Sequence, residues 1–189
     1  MLRMILDHSA LIPCGDKPVE EKESIRKLGD ELLEHDIVWH VSTRYLKTLH
    51  NIFSREPKHH HPLPRLQRSL RRTLKELLAF SKAKRSQCTP KPLANTRIRI
   101  HVIARSAVKS LNPRLQEAIR SYNLTEEDIE VIALAVTGTR YQEPVYLVST
   151  DEPLLQAANQ LSKRYSLNLQ TLTPRQLTQQ IGGSRHSNN

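Results

Sequence analysis

Short apolar runs and helical-period stripes take turns along the chain. Leu2–Leu6 is a compact apolar run of the kind that a sheet buries. Across 18–35, Ile25, Leu28, Leu32 and Leu33 recur at helical spacing between dense charges. Residues 37–41 predict a second strand. Ser42 is placed to cap a helix through Phe53, with Tyr45, Leu46, Leu49 and Phe53 as its apolar face. Leu66, Leu70, Leu74, Leu77 and Leu78 mark a further helix, and the polar stretch 81–95, with Pro90 and Pro92, predicts a loop. Ile98, Ile100 and Val102 alternate with Arg97, Arg99 and His101, the pattern of a half-exposed strand. Beyond it, helices are expected over 107–122 (kinked near Pro113), from Thr125 onward, over 153–165 and over 174–181. Strands are expected over 145–149 and 167–172.

Strands alternating with helices predict an α/β fold, a three-layer α/β/α domain with a mostly parallel central sheet. The expected organisation is one domain over 1–181, with 55–97 as an inserted helix and loop and 182–189 as a disordered tail. A length of 189 residues is enough for one such core.

Charge changes the picture in one place. The chain carries a formal net charge of +10, which favours an anionic partner, nucleic acid before an acidic membrane. Segment 55–97 alone holds twelve lysines and arginines against Glu56 and Glu76, so its net charge equals that of the whole chain. The basicity is concentrated rather than spread. Cys14 and Cys88 form no CxxC pair, which excludes a disulfide framework or a zinc module and fits a reducing cytoplasm. No secretory signal is expected in the first residues, and no run approaches the about 20 apolar residues of a membrane helix.

Candidate chemistry lies at strand ends. The run Met4-Ile5-Leu6 stops at Asp7, and Val145-Tyr146-Leu147-Val148 runs into Ser149-Thr150-Asp151. In an open parallel sheet, ligands gather where strands end at their carboxyl edge. Two such strands side by side would bring Asp7 and Asp151 together, and close carboxylates repel unless a proton or cation intervenes. The pair therefore points to a hard-metal site and phosphate chemistry. Taken singly, Asp7 and Asp151 can each be a turn or helix cap, and Asp128 a surface acid at the positive end of a helix dipole.

The order matters more than any one residue. Asp7-x-Ser9 follows a first strand, Asp128 opens a helix of small apolar residues (Ile132-Ala133-Leu134-Ala135), and Ser149-Thr150-Asp151 ends a late strand. In this the chain resembles the PIN-domain ribonucleases over about 1–55 and 98–175. The resemblance implies an endoribonuclease that uses Mg²⁺ or Mn²⁺. Asp7, Asp128 and Asp151 would hold the metal, and Ser9 and Thr150 would support the carboxylates or the metal's water. It also implies RNA as substrate and a homodimer. A toxin ribonuclease held by a small antitoxin-like inhibitor is a further option, though the chain is long for a compact toxin. The family's usual acid early in the helix after the second strand has no counterpart, since Ser42-Thr43-Arg44-Tyr45-Leu46-Lys47-Thr48-Leu49 contains none. Arg44 or Lys47 there would repel a metal or contact phosphate, while Glu127, Glu130 or Glu152 could compensate, though the sequence does not place them. An inactive PIN-like module that binds RNA or a protein through the basic insert stays open beside the nuclease.

Within the insert, Arg65, Arg68, Arg71, Arg72 and Lys75 lie on the predicted helix opposite its leucines, followed by Lys82, Lys84 and Arg85. A charged outer face is ordinary for an amphipathic helix. This one carries few acids to pair with, so it is expected to attract a phosphate backbone. Few aromatics accompany it, which argues for backbone or shape recognition over base reading. His59-His60-His61, with His50, is read as a surface loop near an anion rather than as a transition-metal site, and Trp39 and His40 as packing or a pocket wall.

Overall fold

The computed structural model describes residues 1–13, 16–55, 65–82, 90–93 and 95–183. Its strands are β1 (Leu2–Leu6), β2 (Ile37–Ser42), β3 (Lys91–Pro92), β4 (Ile98–Ala104), β5 (Val145–Val148) and β6 (Leu169–Leu172). Its helices are α1 (Val19–Leu33), α2 (Thr43–Arg55), α3 (Arg65–Lys82), α4 (Pro113–Arg120), α5 (Glu126–Gly138), α6 (Glu152–Tyr165) and α7 (Pro174–Gly183). The six strands form one sheet in the order β3-β4-β2-β1-β5-β6, parallel except for β3 against β4. The fold is α/β, as the alternating pattern predicts.

Helix contacts fall into two groups. α1 touches α3 and α7, and α2 touches α3; α4, α5 and α6 touch one another, with α5 lying across β1, β2 and β5, and α2 also meets α5 and so joins the two groups. The connections from β1 to β2 and from β2 to β4 step one way along the sheet, while those from β4 to β5 and from β5 to β6 step the other way. With right-handed crossovers, that reversal puts the two helix groups on opposite faces. It also makes β1 and β5, adjacent but departing in opposite directions, the topological switch point where open α/β sheets bind ligands.

Local chemistry explains the boundaries. Ser42 Oγ accepts from Tyr45 N at 3.0 Å, which caps the start of α2 as expected. The stretch 107–122 is not one kinked helix: a 3-10 turn at Val108–Ser110 is followed by α4. Pro113 has no N–H to give, so it opens α4 at N1, and Asn112 caps it by accepting from Leu115 N. α5 is hydrophobic nearly all round and accordingly buried from Ile129 to Gly138. Lys91–Pro92, inside the stretch predicted as loop, pairs with β4 at the sheet's edge, where proline's missing donor can face outward. α7 runs two residues beyond the predicted Ile181, and 184–189 lie outside the described residues.

His101 departs from the half-exposed pattern. It is buried beside His40 on the neighbouring strand, with ring centroids 5.2 Å apart, and Tyr141 packs on both. Trp39 and His40 are fully buried, as a packing role requires. Cys14, Cys88 and His59–His61 lie outside the described residues. Among the described residues no helix is long and apolar enough to cross a membrane.

Candidate active site at the ends of β1 and β5

Register decides what meets Asp7. Leu6 pairs with Val148, and Asp7 N donates to Val148 O at 2.9 Å, so the residue beside Asp7 is Ser149. Asp7 is buried, and its Oδ2 accepts from Ser9 Oγ at 2.6 Å, from Ser149 Oγ at 2.9 Å and from Ser9 N at 3.3 Å. The two serine hydroxyls lie 2.9 Å apart. Each is itself held by backbone: Thr150 N donates to Ser9 Oγ at 3.0 Å, and Asp151 N to Ser149 Oγ at 2.9 Å. The turn after β5 thus orients both serines, and they fix the carboxylate.

The other oxygen is differently placed. Asp7 Oδ1 is buried and receives no hydrogen bond; His8 Nδ1 stands 2.9 Å from it, close enough to pair charge but off the hydrogen-bond direction. Burial opposes ionisation of Asp7, yet the contact with His8 and the two serines outweighs it and holds the carboxyl below its usual range. His8 is raised, first by Asp7 and then, against burial, by the field of Asp7, Glu127 and Asp128. Burial pushes the Tyr45 hydroxyl well above its usual value, and the same three acids add to it. Asp7, Glu127 and Asp128 therefore share one electrostatic neighbourhood around His8 and Tyr45.

Asp128 and Asp151 also work as helix caps. Asp128 Oδ2 accepts from Thr125 Oγ1 at 2.6 Å and Thr125 N at 3.3 Å, completing a capping box, and its side chain is half-buried. Asp151 Oδ1 accepts from Leu154 N at 3.0 Å and caps α6. Thr150 Oγ1 accepts from Lys17 Nζ at 2.7 Å, and Lys17 also pairs with Glu21 at 2.6 Å. An open groove of about 230 Å³, walled by Glu20, Glu21, Thr173 and Arg175, begins at Thr150.

Where the resemblance asks for an acid, Arg44 is exposed and pairs with Glu126 at 3.2 Å, and Arg120 pairs with the same carboxylate at 3.0 Å. Arg120 first, then Arg44, hold Glu126 below its usual range. Glu130 faces inward from α5 and is filled: Ser42 Oγ donates at 2.6 Å, Ala107 N at 2.6 Å and Ser106 Oγ at 2.8 Å.

Among the described residues, no three His, Cys, Asp or Glu side chains stand close enough to hold a metal by themselves. A hard cation that keeps most of its waters and takes one or two carboxylates needs less. Asp7 Oδ1, ionised and faced only by His8 Nδ1 at 2.9 Å, meets that requirement where a cation takes the place of the His8 charge. Ser149, Lys17 and Tyr45 were not among the residues expected at the site. A serine directly after an apolar run was the available signal for Ser149; Lys17 and Tyr45 had none beyond nearness in sequence to a strand end. On α3, Arg65, Arg68, Arg71, Arg72 and Lys75 are all exposed, Lys82 ends the helix, and Lys84 and Arg85 lie outside the described residues. No family model, curated protein or solved structure matches the chain.

Proposed function

We propose that the protein is a divalent-metal-dependent endoribonuclease of the PIN type. One observation carries the reading: Asp7, at the switch point between β1 and β5, is held ionised, with Oδ2 fixed by Ser9 and Ser149 and Oδ1 facing only the His8 ring at 2.9 Å. A buried carboxylate so fixed is pre-oriented for a cation. Mg²⁺ or Mn²⁺ would be held by Asp7, with Asp128 and Asp151 reaching it through the carboxylate oxygens their caps leave over or through water. When bound, the ion supplies an activated water and neutralises charge on the scissile phosphate.

The chain's own residues do the rest. Ser9 and Ser149 keep the Asp7 carboxylate in one orientation. Lys17, paired with Glu21, holds the Thr150 hydroxyl in place, and Arg175 lines the groove that begins at Thr150. The exposed cations of α3 hold the RNA backbone away from the reacting phosphate.

A second reading has its own support. Arg44 stands where the resemblance asks for an acid and is engaged with Glu126, which favours a PIN-like module that binds RNA without cutting it.

Cleavage of a labelled single-stranded RNA with Mg²⁺ or Mn²⁺ separates the two. For the nuclease, Asp7→Asn and Asp151→Asn lower the rate by about a hundredfold or more, the scale of a lost charge at a reacting centre, while RNA binding in EDTA persists. Binding without cleavage in either metal leaves the module.

A further inference from the structure

α3 is a one-sided helix. Leu66, Leu70, Leu74 and Leu77 are buried, while Arg65, Arg68, Arg71, Arg72 and Lys75 are exposed. At 3.6 residues per turn the five cations fall within an arc of about 120° and span about 15 Å along the axis. Glu76 is the single acid of α3. Among the described residues none of the five cations is engaged in an ion pair. Like charges in such a row repel one another, and a polyanion relieves that repulsion while releasing its own counterions.

The row is tied to the candidate site. Gln67, on the first turn of α3, donates through Nε2 to the carbonyl of Leu11, four residues beyond Asp7. Leu66 packs against Gly29 of α1. The cations therefore ride on a rigid element fixed to the segment that follows β1.

What the surface lacks sharpens the ligand. Proteins that hold single strands stack bases on aromatic rings. α3 carries a single aromatic residue, Phe80, past the row of cations in sequence, and among the described residues the half-exposed tyrosines, Tyr122, Tyr141 and Tyr165, belong to other parts of the chain. Arginine forks in a straight row suit phosphates already set at regular spacing. A double-helical RNA presents such a row, and proteins recognise it mostly by shape, phosphates and 2′-hydroxyls.

We propose that the cationic face of α3 binds the backbone of a double-helical RNA segment. That segment would flank the strand delivered to Asp7, and the identification of the ligand as RNA rests on the nuclease reading.

The test is fluorescence anisotropy in EDTA with a labelled 20-base-pair RNA duplex and with one of its strands alone. The full chain is expected to bind the duplex at least tenfold more tightly. R68E/R72E should weaken duplex binding tenfold or more and flatten its salt dependence by about one unit of log–log slope per cation removed. The melting temperature should stay as in the wild type, single-strand binding should weaken by much less than duplex binding, and R68Q/R72Q should fall between. Equal or tighter binding of the single strand would overturn the proposal, as would a duplex affinity untouched by R68E/R72E. Binding of neither RNA would overturn it in favour of an acidic protein partner. The two readings fail separately: duplex binding through α3 without cleavage removes the nuclease alone, and cleavage of single strands without α3-dependent duplex binding removes this proposal alone.

Discussion

Tyr45 reaches from α2 to the end of β1, where its hydroxyl donates to the carbonyl of Leu6 at 2.8 Å, one residue before Asp7. Both groups are buried, so the bond has no water to replace it. Tyr45→Phe removes the donor and leaves a buried carbonyl without it, a loss of about 1–3 kcal/mol. Urea denaturation should show that loss with an unchanged m-value. A stability within about 0.5 kcal/mol of wild type would mean that the Leu6 carbonyl finds another donor.

Glu130 joins three parts of the chain in the same way. Its carboxylate accepts from Ser42 at the end of β2, and from Ser106 and Ala107 after β4. Glu130→Ala strands three donors at once, with a cost of several kcal/mol. Glu130→Gln keeps one acceptor and should lie between the alanine variant and wild type. If the alanine variant unfolds at the wild-type denaturant midpoint, the three bonds do not hold the β2 and β4 ends together.

Much of this was readable from the chain alone, and the reasons for the rest are physical. Asp7 announced itself because an apolar run stops there, and Thr125 because a capping residue precedes three acids. Asp151 drew attention over Ser149, but parallel register sets Val148 opposite Leu6 and so delivers the serine to Asp7. From the sequence, Glu130 is only one of three acids that could compensate for the missing one. Its partners, however, come from 88 and 24 residues away in sequence, and no local pattern encodes them. His101 obeyed the alternation of an exposed position and is buried all the same, because Tyr141, beyond α5, covers it. Lys91–Pro92 has the composition of a loop, and only the edge of an existing sheet makes it a strand.

The buried histidines give stability a pH dependence. Burial, with His101 and Arg3 nearby, pushes His40 down to about 3, and burial likewise lowers His101. Glu143, paired with Arg3 at 2.6 Å, opposes the shift of His40, and Tyr141 stacks on its ring. Because the unfolded chain binds a proton near pH 6.5 and the folded chain does not, stability falls as pH drops below 6.5 toward 3. By linkage His40 alone contributes a loss of about 2–3 kcal/mol at pH 4.5. His40→Phe keeps a ring in the stack and removes the titration. The fall in melting temperature between pH 6.5 and 4.5 should therefore be visibly shallower in that variant than in wild type, and parallel curves would show that His40 is not the group responsible.

Around Asp7 Oδ2 the proton count is short. Three oxygens, Asp7 Oδ2, Ser9 Oγ and Ser149 Oγ, stand 2.6, 2.9 and 2.9 Å from one another, and with Asp7 ionised only two hydroxyl protons serve three contacts. One contact is always between lone pairs, so the two serines cannot act independently. Ser9→Ala and Ser149→Ala each remove a donor to the carboxylate and should raise the Asp7 pKa, each costing about 1–2 kcal/mol. Removing either serine also relieves the crowded contact, and the double variant gains that relief only once, so it should cost more than the two single losses together, a coupling of at least about 0.5 kcal/mol. A double-mutant cycle by denaturation, with carbon-13 titration of Asp7 read alongside, checks this. Strict additivity would mean that the hydroxyls sit apart in solution, leaving Asp7 held by one serine and the Ser9 backbone.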